Sequence, residues 1–200
     1  MPSYKTAYNG YSVEFSPFEE STVAVATAQH FGIVGNGRQY VLQVNGEGDA
    51  RQQQHGSAIE KLHSYDTIDG LYDCCWSEDA DNILISASGD GSVKIFDSNA
   101  PDDSAQVSSL EEHSKEVNSV DFNLVGKDRF VTGSWDNSVK LWAVDDLHSL
   151  ETYDEHKYCV YATIWSPSSN DLFASASGDF TLKVWDTNGN IVWLVCVVGV

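Results

Sequence analysis

The feature that most constrains this chain is a repeat of about 43 residues in its second half. Three segments superpose without gaps, namely ILISASGDGSVKIFD, RFVTGSWDNSVKLWA and LFASASGDFTLKVWD. Their turn aspartates Asp90, Asp136 and Asp179 lie 46 and 43 residues apart. Alternating apolar positions around turns rich in Gly, Asp and Asn are typical of short antiparallel strands joined by hairpins. The repeat therefore predicts an all-β chain of stacked meanders.

A unit of about 40–45 residues with these aromatic and turn positions is typical of the four-stranded blade of a WD-repeat β-propeller. An earlier, degenerate unit, YSVEFSPFEESTVAVATAQHFGIVGNGRQYVLQV, precedes the regular three, and residues 46–58 read as an exposed loop. We expect a partial propeller of four blades in an open arc. The predicted blades are residues 8–63, 69–112, 115–155 and 158–187, followed by a divergent apolar tail at 188–200. Alternatively, the tail is an outer strand of the fourth blade.

Two of the units share a set of four residue types at the same offsets of 0, 19, 23 and 29. The sets are His113, Thr132, Asp136, Trp142 and His156, Ser175, Asp179, Trp185. Such side chains can form one hydrogen-bond chain from carboxylate to imidazole, hydroxyl and indole, which would tie each blade together. A hydrolase triad is the sharper interpretation, but the hydroxyls lie on apolar strands, whereas a nucleophile has to be exposed. The second unit keeps Ser86 and Asp90 but has Phe96 and Thr67 in the other places, so its network is incomplete.

Composition excludes several function classes. A formal net charge of −19 disfavours nucleic-acid binding, because phosphates attract the opposite sign, and it favours basic partners. Cys74, Cys75, Cys159 and Cys196 show no zinc-ligand spacing, so we expect reduced thiols and no metal or cofactor. The start of the chain lacks a secretory signal, and the apolar run 191–198 is too short to span a membrane. We therefore expect no direct membrane insertion.

The first unit resembles one family more closely than a generic blade does. The segments YSVEFSPF, VAVATAQHFGIVGNG, LYDCCW, GDGSVKIFD, EEHSKEVNSVDF, GSWDNSVKLWA and HKYCVYATIWSP resemble the receptors for the type 2 peroxisomal targeting signal, the plant form most nearly. The resemblance implies a receptor, found in the cytosol and the peroxisomal matrix, that binds a basic amphipathic helix near the N-terminus of cargo proteins. It also implies a co-receptor of the peroxin-5 type, and neither catalysis nor a cofactor.

A cationic helix would meet the face where each first strand begins and each second hairpin turns, since connecting loops carry binding residues. By repeat register the candidate residues are Asn9, Tyr11, Asp69, Tyr72, Glu116, Asn118, Trp135, Cys159 and Tyr161. Glu116 and Asp69 would pair with an Arg or His of the signal, while Tyr72, Trp135 and Tyr161 offer apolar and cation–π surface. Trp135 stands where the flanking units have Gly89 and Gly178, and an exposed Trp at that position indicates use in binding.

The match to the family stops after VWDTNG, and NIVWLVCVVGV follows. We therefore expect a chain shortened by about three blades, with weaker cargo binding than a full ring. A general WD-repeat scaffold, such as a subunit of a chromatin or ubiquitin-ligase assembly, is the alternative function that the three regular units also permit.

Overall fold

The computed structural model describes residues 3–30, 33, 35–45 and 58–196, and these form sixteen β-strands without a helix. The strands are β1 (Asn9–Phe15), β2 (Thr22–Ala28), β3 (Gly37–Val44), β4 (Ile59–Thr67), β5 (Leu71–Trp76), β6 (Ile83–Ser88), β7 (Val93–Asp97), β8 (Gln106–Leu110), β9 (Val117–Phe122), β10 (Arg129–Ser134), β11 (Val139–Ala143), β12 (Ser149–Tyr153), β13 (Val160–Trp165), β14 (Leu172–Ser177), β15 (Thr181–Asp186) and β16 (Ile191–Cys196). Most of the predicted loop at 46–58 lies outside the described residues.

The strands pair in chain order into four antiparallel, four-stranded sheets, here called sheets 1 to 4. Tight turns are possible because single residues take positive φ at the second hairpin: Gly91 at 87°, Asn137 at 76° and Phe180 at 65°. The sheets stack in order, since β1 contacts β5, β5 contacts β9, and β9 contacts β13. The predicted all-β architecture of successive four-stranded, open sheets is confirmed.

Two sheet boundaries differ from the expected ones. β4 continues to Thr67, four residues past the predicted end of the first blade, because its pairing with β3 runs as far as Gly37. At the other end, β16 pairs with β15, Leu182 lying opposite Val195. The segment set apart as a tail therefore supplies the outer strand of sheet 4 in the described residues up to Cys196.

The core lies between the sheets rather than inside any one of them. Three clusters of buried side chains fill the three interfaces, with Tyr65 against Phe96, Val117 against Leu110, and Tyr153 against Trp185. Alternate residues of a strand point to opposite faces, so the two faces of sheets 2 and 3 pack against different neighbours. This stacking holds the loops of successive sheets in line along one edge.

Candidate functional site

In sheet 3 a continuous chain of hydrogen bonds ties the outer loop to the core. His113 Nδ1 lies 2.8 Å from Asp136 Oδ2, and His113 Nε2 lies 2.8 Å from Thr132 Oγ1. Trp142 Nε1 donates to the same hydroxyl oxygen at 2.9 Å. Because a carboxylate can only accept, Nδ1–H donates to Asp136, while the Thr132 hydroxyl joins Nε2 to the indole. The imidazole is thus held by hydrogen bonds at both ring nitrogens.

Sheet 4 repeats this arrangement with a serine in place of the threonine. His156 lies 2.9 Å from Asp179 and 2.7 Å from Ser175, and Trp185 Nε1 donates to Ser175 Oγ at 2.8 Å. Burial lowers the pKa of His156, which keeps the ring neutral at pH 7. In both sheets burial alone would raise the pKa of the turn carboxyl, but hydrogen bonds outweigh it and hold that pKa well below its usual range.

The hydroxyls of these two sets do not have the surroundings of a nucleophile. Thr132 and Ser175 are buried in the sheets, and each hydroxyl already bonds both an imidazole and an indole. A serine-hydrolase site needs an accessible hydroxyl beside an oxyanion-binding site. The two sets therefore serve as struts within the sheets.

Sheet 2 holds its turn by different chemistry. Thr67 donates to the backbone oxygen of Asp69 at 2.7 Å, and Ser86 donates to Gln39 of sheet 1 at 3.0 Å. The turn residue Asp90 instead accepts from the buried Lys94 ammonium at 2.7 Å. Burial alone would raise the Asp90 pKa, but the bonds from Lys94 and Ser92 lower it to about 2.

The loops before β5, β9 and β13 lie beside the second hairpins of the same sheets, and together they form what we call the upper edge. One backbone bond recurs in each sheet: Gly89 N to Gly70 O, Trp135 N to Glu116 O, and Gly178 N to Cys159 O, at 2.8–3.0 Å. The struts reach the same loops, because Asp136 follows Trp135 and His113 precedes Glu116. The upper edge is thus fixed from both sides.

Several predicted binding residues lie on this edge and are accessible. Tyr161 is 51% exposed, Tyr11 and Asn9 are exposed, and Asp69 and Glu116 are half-buried. Asn9 Nδ2 donates to Gln29 O at 3.5 Å, which places the start of β1 beside the second hairpin of sheet 1. Asn118 is half-buried, and its amide nitrogen is buried without a partner among the described residues.

Two aromatic residues differ from the sequence expectation. Tyr72 is only 6% exposed, because its ring packs edge-to-face on Tyr11 at 5.9 Å and its hydroxyl fills the space beside Gly89, which has no side chain. Trp135 was expected to be exposed but is half-buried, and its carbonyl oxygen lies 3.7 Å from Cys159 Sγ. Tyr72 therefore supports Tyr11 from below, and Trp135 links sheets 3 and 4.

Three exposed apolar residues of the upper edge were not predicted: Ile68 at 90% exposure, Tyr158 at 56% and Phe180 at 74%. Phe180 also has a positive φ that a bulky side chain adopts at a cost, so its place in the turn is not explained by local folding. A sequence signal for Phe180 did exist: in the aligned turns DGS, DNS and DFT, a phenylalanine stands where the other two units have glycine and asparagine, the residue types that tolerate a positive φ. It held none for the exposure of Ile68.

The charge on the upper edge is mixed. Beside Asp69 and Glu116, the connecting loops carry the exposed Lys115 and Lys157. An open cavity of about 310 Å³ on sheet 1 is lined by Tyr8, Asn36, Arg38, Asp66, Thr67 and Ile68. Inside it the Arg38 guanidinium pairs with Asp66 and lies over the Tyr8 and Tyr40 rings. The net negative charge of the chain is therefore not concentrated at this edge.

Within the described ranges no three His, Cys, Asp or Glu side chains come close enough to hold a metal ion. The same part of the chain contains no helix with the length and apolar character of a membrane span.

Comparison with known proteins agrees with this architecture. The family model "WD domain, G-beta repeat" matches residues 59–97, 104–143 and 147–186. Each match begins at the outer strand of one sheet and ends with the third strand of the next sheet. One sequence repeat therefore spans two sheets, and the strut histidine in the middle of the repeat lies in the loop between them. Sheet 1 lies outside the matches except for β4.

Curated relatives are similar over most of the chain. It is 53% identical over 142 residues to the "Peroxisomal targeting signal 2 receptor" of Dictyostelium discoideum, covering 71% of this chain and 42% of that protein. For the "Peroxisome biogenesis protein 7" of Arabidopsis thaliana the identity is 52% over 145 residues, with 72% and 43% covered. The human "Peroxisomal targeting signal 2 receptor" is 41% identical over 169 residues, with 84% and 49% covered. The chain spans about half the length of these relatives. Because the family model matches more than half of its residues, the chain belongs to the WD-repeat family.

Proposed function

We propose that this chain binds the type 2 peroxisomal targeting signal of cargo proteins, a basic amphipathic helix, through its upper edge. The observation that carries the proposal is the 40–53% sequence identity of this chain to proteins named as receptors for that signal. The second support is the upper edge itself, where the half-buried carboxylates of Asp69 and Glu116 lie among exposed aromatic side chains. Such a surface suits a helix with one cationic and one apolar face.

The carboxylates and the apolar side chains have separate roles in this proposal. Glu116 and Asp69 pair with Arg or His side chains of the signal in charge-assisted hydrogen bonds. Tyr11 and Tyr161, with Ile68, Tyr158 and Phe180, receive the apolar face of the signal, and the aromatic rings also contribute cation–π contacts. Tyr72 and Trp135 act from behind the surface, because both are largely covered by their neighbours. Asn118 also acts from behind the surface, because its amide nitrogen is buried.

A titration of a fluorescent peptide of this signal class tests the proposal. We expect Glu116→Lys to weaken binding at least about tenfold, since loss of a charge-assisted pair and its replacement by repulsion cost about 1.5–3 kcal/mol. The matched control is Glu151→Lys, which makes the same charge change on the exposed outer strand β12 and leaves affinity unchanged. Both variants raise the net charge by the same amount, so a general electrostatic effect would weaken peptide binding equally in both.

A charge exchange separates a direct pair from a merely acidic environment. A peptide whose Arg is reversed to Glu binds the natural chain poorly, and Glu116→Arg restores part of that affinity. If the natural chain binds the peptide no better than its charge-reversed form, the chain is a general WD-repeat scaffold. If binding is strong and Glu116→Lys has no effect, the receptor function stands and the acidic contact is wrong.

We further propose that the chain works with a co-receptor of the peroxin-5 type, moving between the cytosol and the peroxisomal matrix without a catalytic step or cofactor. The buried strut hydroxyls support the non-catalytic part of this proposal. Sedimentation of the chain with signal peptide and co-receptor together tests the partner. A complex that forms equally well without the peptide would contradict a cargo-dependent role.

A further inference from the structure

A cavity of about 350 Å³ opens between sheets 2 and 3, and we call it the side groove. Its lining includes Ile83, Ile95 and Val107 of sheet 2, and Phe130 and Leu147 on the side of sheet 3. Val107 is 54% exposed and Leu147 65%, so the mouth of the groove is apolar as well as its floor. The loops after β5 and β11 border it, and these loops lie at the other end of the strands from the upper edge.

The two other contacts between neighbouring sheets are closed at the corresponding place by a tyrosine from an outer strand. Between sheets 3 and 4, the ring of Tyr153 in β12 lies edge-on to Phe173 at 5.0 Å, and its hydroxyl donates to Asp186 O at 3.1 Å. Between sheets 1 and 2, Tyr65 of β4 stacks on Phe96 at 5.0 Å. Both tyrosines are buried. Each ring covers aromatic side chains of the sheet that follows it.

The outer strand of sheet 2 has a leucine instead of this tyrosine. By strand register Leu110 of β8 takes the place of Tyr153, because each lies opposite the valine that begins the third strand of its sheet. Phe130 is the counterpart of Phe173, since each lies opposite the strut tryptophan of its sheet. A leucine has neither the ring nor the hydroxyl that would cover Phe130 in the same way. The side groove is therefore the place of a missing aromatic ring.

The rim of the side groove is acidic. Asp79 lies on the side of sheet 2, Asp145 and Asp146 lie on the side of sheet 3, and all three are exposed. Among the described residues that line the groove, none is a Lys, Arg or His. In the adjoining cavity of about 460 Å³, both cationic side chains already pair with carboxylates of the chain. An apolar floor inside an uncompensated acidic rim favours a partner that brings an apolar side chain together with positive charge.

We propose that the side groove binds a peptide segment of a partner protein in which an aromatic residue is flanked by Lys or Arg. The aromatic ring packs on Phe130, where the sheet lacks its own tyrosine, and the flanking cations pair with Asp79 and Asp145. An aromatic anchor in a desolvated pocket, with charges at the rim, is the arrangement that carries most of the binding energy in protein interfaces. The site is separate from the upper edge and does not depend on binding of the targeting signal.

Methyl NMR of the full chain tests this proposal with two synthetic peptides. One is acetyl-Gly-Arg-Tyr-Arg-Gly-amide, and the other carries Ser in place of Tyr and has the same charge. We expect the tyrosine peptide to shift the methyl signals of Ile83, Ile95 and Val107, and the serine peptide to bind at least about tenfold more weakly.

Two substitutions at one position test whether the missing ring is what the groove receives. Leu110→Tyr supplies the ring from within the chain, and it should weaken binding of the tyrosine peptide at least about tenfold. The matched control is Leu110→Met, which keeps an aliphatic side chain of similar volume and should bind the peptide as the natural chain does.

A surface variant keeps the test independent of packing between the sheets. Asp145→Lys changes an exposed carboxylate of the rim, and it should weaken binding of the tyrosine peptide at least about threefold. Glu60→Lys makes the same charge change on β4 of sheet 1, outside the groove, and should have no effect. Leu110→Tyr and Asp145→Lys should leave binding of the type 2 signal peptide unchanged, and Glu116→Lys should leave binding of the tyrosine peptide unchanged.

Three results would overturn the proposal. The natural chain could fail to bind the tyrosine peptide at about 1 mM, or it could bind the tyrosine and serine peptides equally well, which would show attraction by charge alone. Affinity for the tyrosine peptide that survives both Leu110→Tyr and Asp145→Lys would place the bound peptide elsewhere on the chain.

Discussion

The strut of sheet 3 allows a sharp test of how the sheets are stabilised. Thr132→Val removes one hydroxyl and adds a methyl group of nearly the same shape, so no cavity forms. The hydroxyl accepts from Trp142 Nε1 and shares a hydrogen bond with His113 Nε2, and all three side chains are buried. The substitution therefore leaves two buried polar groups without a partner at once.

The expected cost follows from these two groups. A buried donor or acceptor that loses its partner costs about 1–3 kcal/mol, so the loss of two partners by Thr132→Val lowers the free energy of unfolding by about 2–6 kcal/mol. Thr132→Ser keeps both hydrogen bonds, as Ser175 does in sheet 4, and loses one methyl group worth about 1 kcal/mol. The hydroxyl, rather than the volume of the side chain, decides the difference.

Urea unfolding followed by tryptophan fluorescence measures both variants. The double variant Thr132→Val with Trp142→Phe separates the terms further, because the indole donor is then absent and cannot be left unpaired. We expect the double variant to cost less than the sum of the single changes by about 1–3 kcal/mol. If Thr132→Val is no less stable than Thr132→Ser, the hydrogen-bond chain does not stabilise the sheet and our interpretation of the strut is wrong.

Three further predictions concern single side chains. Burial raises the Glu14 pKa to about 7, so the stability contributed by the protonated carboxyl is complete below pH 4.5 and is lost as the pH rises through 7. In urea unfolding, the free energy of unfolding of the natural chain should therefore fall by roughly 0.8 kcal/mol more between pH 6.5 and 8.5 than that of Glu14→Gln, which has no carboxyl to titrate. Phe180→Gly relieves a positive φ at an exposed position and should raise the free energy of unfolding by about 0.5–1 kcal/mol while weakening binding of the signal peptide; equal binding would remove Phe180 from the site. Lys94→Met removes the ammonium that lowers the Asp90 pKa, and should cost about 1–3 kcal/mol at pH 7 and move the Asp90 titration, followed by NMR, to higher pH.

Much of the fold could be predicted because the repeat is local. Turn residues such as Asp136, the alternation along β9 to β11, and the fixed offsets of His113 and Trp142 all lie within one unit of about 43 residues. A hydrogen-bond chain needs only the right residue types at the right distances along paired strands, and register supplies those distances. The place of these side chains in the sheet therefore follows from sequence spacing.

The exposure of binding residues could not be predicted in the same way. Alternation shows which side of a strand Tyr72 takes, but its burial depends on Tyr11 from the neighbouring sheet and on the missing side chain of Gly89. Nor does spacing show that the segment after Asp186 pairs as β16, because that segment lacks the repeat pattern. Contacts between units are set by both partners, and a repeat describes one unit at a time.

The struts and the binding surface are mechanically one structure. The Asp136 carboxylate accepts hydrogen bonds from His113 and from the backbone N–H of Ser114, which lies two residues before Glu116. Asp136 itself directly follows Trp135 in the chain. A change at Thr132 therefore loosens the loop that aims Glu116, although Thr132 lies inside the sheet and cannot touch a peptide. Thr132→Val should then weaken signal binding under conditions where the chain is still folded, whereas the same change in the sheet 4 strut, Ser175→Ala, should act mainly through Tyr158 and Tyr161. If neither variant changes peptide affinity below its unfolding midpoint, the upper edge keeps its geometry without the struts, and rigidity at this edge comes from the backbone bonds alone.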